Sequence, residues 1–235
     1  MSAEFEARLE RAKLDAMKEL AYGASHEINN PLANISARAQ TLLRDEQHPE
    51  RQQALEAIRQ QAMRAHEMIS DLMLFARPPA LQRQPVNLCA LLSQIAKDLA
   101  PQCQRRQVRL ALQLPDSDTN LAGDAQQLTI AITALLTNSL EAIGTDGTIE
   151  IKLNPQVESP NSLVLEVLDT GPGISAKVRQ HLFDPFFSGR EAGRGLGFGL
   201  SKCWRIITDH GGTIVVDSTP DEGTLMRLEL PVGEK

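Results

Sequence analysis

His26 is followed at once by a carboxylate, Glu27. A neutral imidazole is a nucleophile, and an adjacent carboxylate can accept the proton released as it attacks phosphorus. A His–Glu pair is also common on any solvated helix, so its meaning depends on what accompanies it. Three further runs bear on that. Asp169-Thr170-Gly171-Pro172-Gly173 comes directly after the apolar run Leu163–Leu168. A carboxylate at a strand end can accept a hydrogen bond from the exocyclic amine of adenine. Gly171 and Gly173 permit a tight reversal and close approach of backbone to a ligand, although an ordinary turn can carry the same residues. Gly193-Arg194-Gly195-Leu196-Gly197-Phe198-Gly199 opens a helix bearing Trp204 and Ile207. Glycines there leave backbone N–H groups and a helix N-terminus free to face phosphate oxygens. Neither the wording nor the position is that of a dinucleotide fold or a P-loop. Finally, Asn138 lies in the helical run Leu135–Ala142. Its amide oxygen suits Mg²⁺, a hard cation that keeps waters and phosphate ligands; a polar residue on a solvated helix face is the plainer alternative.

These residues need elements to hold them. From about Glu4 to Arg44 the apolar positions Leu20, Ala24, Ile28, Leu32, Ile35, Ala39 and Leu42 recur three or four apart, which predicts a long helix. His26 is two residues from both Ala24 and Ile28, about half a turn off that stripe, and is expected to face solvent. Pro31 should bend the helix one turn beyond it. After Asp45–His48, Pro49 is placed to open a second helix, in which Leu55, Ile58, Ala62, Ala65, Ile69, Leu72 and Ala76 form a heptad seam. Pro78-Pro79 ends it. One hairpin of this length cannot bury both stripes alone, so a second copy and a dimeric four-helix bundle are expected; packing onto the rest of the chain is the competing arrangement. Beyond a linker or short strand at Leu81–Val86 the pattern becomes mixed. Asn87 should cap a helix carrying Leu88 to Leu99, and Asp124 one running to about Ile143. Strands are expected at Val108–Leu114, Thr148–Leu153, Leu163–Leu168, Thr213–Asp217 and Thr224–Leu230, with a helix near Gly199–His210. The expected fold is an all-α hairpin over residues 1–80 and an α/β sandwich over residues 81–235.

Composition narrows the function. A net charge of −6 argues against nucleic acid as partner. Cys89, Cys103 and Cys203 lack metal-ligand spacing and are expected to be reduced, mostly buried thiols. No run approaches the roughly 18 apolar residues of a membrane span, so a cytoplasmic location without membrane contact is expected, whether or not a longer parent protein is anchored.

In their order and intervals, the runs at Asn138, Asp169–Gly173 and Gly193–Gly199 resemble the N, G1 and G2 boxes of the Bergerat ATP-binding fold. Histidine kinases, gyrase-type topoisomerases, heat-shock chaperone ATPases and MutL-type repair proteins share that fold. Phe183-Asp184-Pro185-Phe186-Phe187 resembles the F box of histidine kinases, and Gly223-Thr224 the last strand, where the Thr lies near adenine. Ser25-His26-Glu27-Ile28-Asn29-Asn30-Pro31-Leu32 resembles the H box of their dimerisation and phosphotransfer domain, in the nitrogen-regulator-like branch. The resemblance implies a histidine kinase that binds ATP and Mg²⁺, phosphorylates His26 and passes the phosphoryl group to an aspartate of a response-regulator receiver domain. It further implies that Asn138 ligates the metal, that Asp169, Gly171, Gly173, Arg194, Gly195, Gly197, Gly199 and Thr224 line the nucleotide pocket, and that Asn30 positions a water against the receiver's phospho-aspartate. An amide suits that last task, because it holds water without competing as a nucleophile. One position departs from the pattern: hydrolysing relatives carry a Glu, and histidine kinases often an Asn, four residues before Asn138, where this chain has Ala134. Arg190, Arg194 and Lys202 are candidate counter-charges. The alternatives are a Bergerat ATPase motor, which would need that Glu, and a nucleotide-binding dimeric scaffold without transfer.

Overall fold

The computed structural model describes residues 27–76, 78–116, 119–155, 161–184, 187 and 197–233. They belong to two compact units, Met1–Pro79 and Ala80–Lys235. In the first, helix α1 (residues 27–45) continues through Pro31 and a three-residue loop leads to α2 (Pro49–Ala76). Proline at the first helical position lacks only an N–H that would have no partner there, and the Gln52 N–H closes the first turn onto the His48 carbonyl at 2.9 Å. The apolar positions divide into two stripes. Leu32, Ala39 and Leu43 on α1 and Leu55, Ala62 and Ile69 on α2 are covered or half-covered within the hairpin. Ile28, Ile35 and Leu42, at steps of seven, stay open to solvent, Ile35 at 45% and Leu42 at 60%, together with Ile58 on α2.

The second unit runs β1 (Gln84–Asn87), α3 (Leu88–Arg105), β2 (Val108–Gln113), β3 (Asn120–Gly123), α4 (Ala125–Ile143), β4 (Gly147–Pro155), β5 (Ser162–Asp169), α5 (Ala176–Gln180), α6 (Gly199–Asp209), β6 (Thr213–Ser218) and β7 (Thr224–Pro231). Five strands form one sheet in the order β2-β4-β5-β7-β6, with β2 parallel to β4 and the other pairs antiparallel. A parallel pair needs a long crossover, here supplied by β3 and α4. Strand β1 pairs antiparallel with β3 in a separate ribbon.

The core lies between the sheet and α3, α4 and α6. Leu92, Ile95, Leu128, Ile132, Leu135, Cys203 and Ile207 meet Ile149, Ile151, Leu165, Val167, Met226 and Leu228, all buried. The opposite sheet face is charged and paired, with Lys152 at 3.1 Å from Glu150 and Arg227 at 2.8 Å from Glu166. Alternation of apolar-in and polar-out follows from one face packing and the other facing water.

The hairpin followed by an α/β sandwich is the expected architecture. Asn87 caps α3 by accepting the Ala90 N–H at 2.8 Å, and Asp124 caps α4 by accepting from Gln126 and Gln127 at 3.1 Å. Helix α3 runs beyond Leu99 to Arg105 with Pro101 inside it. A proline there removes one helical hydrogen bond; burial of Leu99 and Cys103, one turn apart, holds the extension. Short β3 and five-residue α5 carry too little periodicity to be read from sequence.

Candidate functional site

Asp169 ends β5 with its side chain on the helix-covered face, 3% exposed. Its carboxylate accepts the Ser139 hydroxyl from α4 at 2.8 Å and the Gly171 N–H at 3.0 Å. Burial pushes its carboxyl above the ordinary range; the Ser139 hydroxyl and the Gly171 and Thr224 N–H groups oppose that shift. Thr224 lies directly opposite on β7 and is buried on the same face. The segment after Asp169 is tied to the turn before β7: the Asp221 N–H donates to the Pro172 carbonyl at 2.8 Å and the Ile174 N–H to Ser218 Oγ at 2.9 Å. Two glycines are dictated by this contact. Gly173 (φ +69°) and Gly223 (φ +87°) adopt left-handed backbone, and a Cβ on either would overlap a carbonyl, that of Thr219 or of Asp169.

Asn138 is half-buried on α4, beside Ser139. Ala134, Asn138 and Ala142 share one face of that helix. Ala142 is the neighbour that a Cβ on Gly171 would meet at 3.4 Å, so this face borders the Asp169 loop. Among the described residues no group of three or more His, Cys, Asp or Glu could cage a metal. The donor set still fits Mg²⁺: a single amide oxygen suffices when phosphates and waters complete the shell.

Helix α6 starts at Gly199 behind Phe198, with no side-chain cap, and Phe198 is buried as an anchor. Gly197 (φ +73°) sits so close to the backbone of Phe187 that a Cβ would overlap it. The end of the glycine loop and the end of the Phe183–Phe187 run are thereby brought together. His181 stacks obliquely on Phe187 at 5.5 Å between ring centres and bonds Asp184 at 2.7 Å. His26, Arg190, Gly193, Arg194, Gly195 and Leu196 lie outside the described residues, as do Pro185 and Phe186. Glu27 and Asn30 are exposed on α1.

Sequence reasoning missed Ser139 and Ser218, the two hydroxyls that hold Asp169 and the loop after it, because a lone serine carries no periodic or motif signal. It also underrated Asp124 and His210. Asp124 accepts the Gln82 N–H at 3.0 Å besides capping α4. Its own N–H donates to His210 Nε2 at 3.0 Å, while Nδ1 of His210 donates to the Ile206 carbonyl at 2.8 Å. Burial alone would raise the Asp124 carboxyl; N–H donors from Gln82, Gln127 and Gln126 outweigh it and hold it low. The cysteines are free thiols, and burial pushes Cys203 up to about 12, far from a nucleophilic thiolate at neutral pH.

Two family models match the chain. Residues 123–234 match the "Histidine kinase-, DNA gyrase B-, and HSP90-like ATPase" family, and residues 16–80 the "His Kinase A (phospho-acceptor) domain". The chain is a sensor histidine kinase catalytic core. It is 31% identical over 225 residues to sensor histidine kinase ZraS of Escherichia coli strain K12, covering 94% of this chain and 47% of that protein. It is 34% identical over 223 residues to C4-dicarboxylate transport sensor protein DctB of Rhizobium meliloti, covering 93% of this chain and 35% of that protein. This histidine kinase core thus spans half or less of the length of those relatives. Its fold is similar to that of full-length ShkA in complex with AMPPNP, with a TM-score of 0.81 at 22% identity over 92% of this chain and 46% of that one. No described helix of the core is long and apolar enough to cross a membrane.

Proposed function

We propose that this core binds ATP in the pocket around Asp169, transfers the γ-phosphoryl group to His26, and delivers it to a receiver-domain aspartate. The observation that carries the proposal is Asp169 itself: a buried acceptor at a strand end, supported by three donors and followed by glycines whose close contacts within the protein fix the loop after it. In this reading Asp169 accepts the adenine amine, Thr224 lies beside it, and Gly171 and Gly173 let the base approach backbone. Gly195, Gly197 and Gly199, with Arg194, meet the phosphates at the start of α6. Asn138 holds Mg²⁺ by its amide oxygen, and the metal supplies neutralisation of phosphate charge. Neutral His26 attacks in line, with Glu27 taking its proton; the protein contributes positioning and charge complementarity. Asn30, exposed one turn from His26, serves dephosphorylation of the receiver by holding a water.

The uncovered heptad Ile28, Ile35 and Leu42 supports a homodimer in which a second hairpin completes a four-helix bundle. The H-box wording supports a place in the nitrogen-regulator-like branch, and its domain boundary is taken near residue 80. Ala134 disfavours an ATPase motor, since a methyl group cannot activate water. Incubation with γ-labelled ATP tests the assignment. Acid-labile, base-stable label is expected on the wild type and none on His26→Gln, with ADP affinity unchanged. Label persisting on the mutant rules out His26, and ATP binding without label leaves the scaffold alternative standing.

A further inference from the structure

Ser218, the last residue of β6, is cross-strand partner to Thr224, which in turn faces Asp169 across β5–β7. Its half-buried hydroxyl meets three groups: the Ile174 N–H at 2.9 Å, the Gly223 carbonyl at 2.7 Å and Thr224 Oγ1 at 3.0 Å. A serine hydroxyl has one hydrogen and two lone pairs. A carbonyl oxygen can only accept, so that hydrogen goes to Gly223. The lone pairs then receive the Ile174 N–H and the hydrogen of Thr224. This assignment leaves Thr224 Oγ1 with lone pairs alone to offer a ligand. Ser139 is in the same condition, because its hydrogen goes to the Asp169 carboxylate at 2.8 Å.

The wall that surrounds Asp169 therefore presents acceptors from three side chains, two of them hydroxyls whose protons are committed elsewhere. We propose that Ser218 is a specificity-determining positioning residue: by taking the Thr224 proton it makes Thr224 an obligate acceptor, so that the pocket selects a 6-amino purine over a 6-oxo purine. The inference rests on reading this pocket as the base site. Adenine meets acceptors with the N–H bonds of its amine. Guanine would set its carbonyl oxygen against them, and a buried acceptor facing an acceptor leaves both unpaired. Ser218 itself need not touch the nucleotide.

Without Ser218 the Thr224 hydroxyl can rotate and donate to a 6-oxo group. Calorimetric titration of the full chain with ADP and, separately, GDP measures the effect without phosphoryl transfer. Wild type should bind ADP far more tightly than GDP. Ser218→Ala should narrow the ADP/GDP affinity ratio by about three- to tenfold, the worth of one hydrogen bond. Ser218→Thr, which keeps the hydroxyl, should preserve the ratio. Thr224→Val removes the acceptor while keeping shape, and should narrow the ratio as well even if Ser218→Ala folds poorly. A merely structural Ser218 would weaken ADP and GDP by the same factor. An unchanged ratio in Ser218→Ala, or in Thr224→Val where the serine mutant does not fold, overturns the inference. Wild-type protein that binds neither nucleotide overturns the base-site reading beneath it, and the two failures are distinct because only the second affects the unmutated chain.

Discussion

Replacing Asp169 with Asn changes one atom of a buried acceptor and leaves its shape intact. The carboxylate presents two oxygens to the Ser139 hydroxyl and to the N–H groups of Gly171 and Thr224. An amide keeps one oxygen and turns an NH₂ toward donors that it cannot satisfy. For the nucleotide, the loss is a charge-assisted hydrogen bond from the adenine amine, worth roughly 1.5–3 kcal/mol, so ADP affinity should fall about ten- to a hundredfold. A second signature comes from protonation. Burial holds the Asp169 carboxyl above the ordinary carboxylate range in the free protein. A raised folded-state pKa contributes stability that is complete below the unfolded value and lost as pH rises through the folded one. Wild type should thus lose stability relative to Asp169→Asn as pH climbs through that window. Binding runs the other way: an amine donor favours the ionised carboxylate, so wild-type ADP affinity should weaken as pH falls through the raised pKa, and the mutant should lack that component. Ionisation of the nucleotide is common to both proteins and cancels in the comparison. Calorimetry at several pH values, paired with urea unfolding, reads both effects. Equal ADP affinity in the two proteins, or identical pH profiles, would refute the base-pocket assignment.

Other positions make independent claims. Ile35→Lys places a charge on a side chain that the single hairpin leaves exposed, so helicity should survive by circular dichroism while sedimentation shifts from dimer to monomer; a monomeric wild type would remove the four-helix bundle. Asn30→Ala should slow dephosphorylation of the phosphorylated receiver while autophosphorylation persists, and equal receiver decay with mutant and wild type would deny Asn30 that task. Gly223→Ala forces a Cβ into the Asp169 carbonyl at a left-handed φ; residues in such backbone cost of order 1–3 kcal/mol, so urea unfolding should show at least that loss, and an unaffected midpoint would contradict the close approach.

Much of the second unit was legible because its signals are local. Helix caps at Asn87 and Asp124 act within three residues, and the alternation of β7 is a property of the strand itself. Gly173 was visible as a turn residue and Gly223 through the run that it forms with Thr224. Their necessity was not, since it comes from carbonyls of Thr219 and Asp169 on other segments. In the hairpin the periodicity was readable, yet one apolar stripe was expected where the structure has two. A three-four spacing satisfies either face, and only helix-on-helix packing separates Ala39, covered at 3%, from Ile35.

By itself the sequence determined the kinds of element, their order and the chemical runs, because caps, heptads and glycine turns depend on neighbours within a few residues. Tertiary structure alone decided the partners. Ser139 reaches Asp169 across 30 residues and Asp124 reaches His210 across 86. Buried donors and acceptors must each be paired, and which group completes a pair depends on how the sheet and helices pack, not on position along the chain. The direction of the Thr224 proton is such a decision, because Ser218 on the adjoining strand commits its own proton to the Gly223 carbonyl.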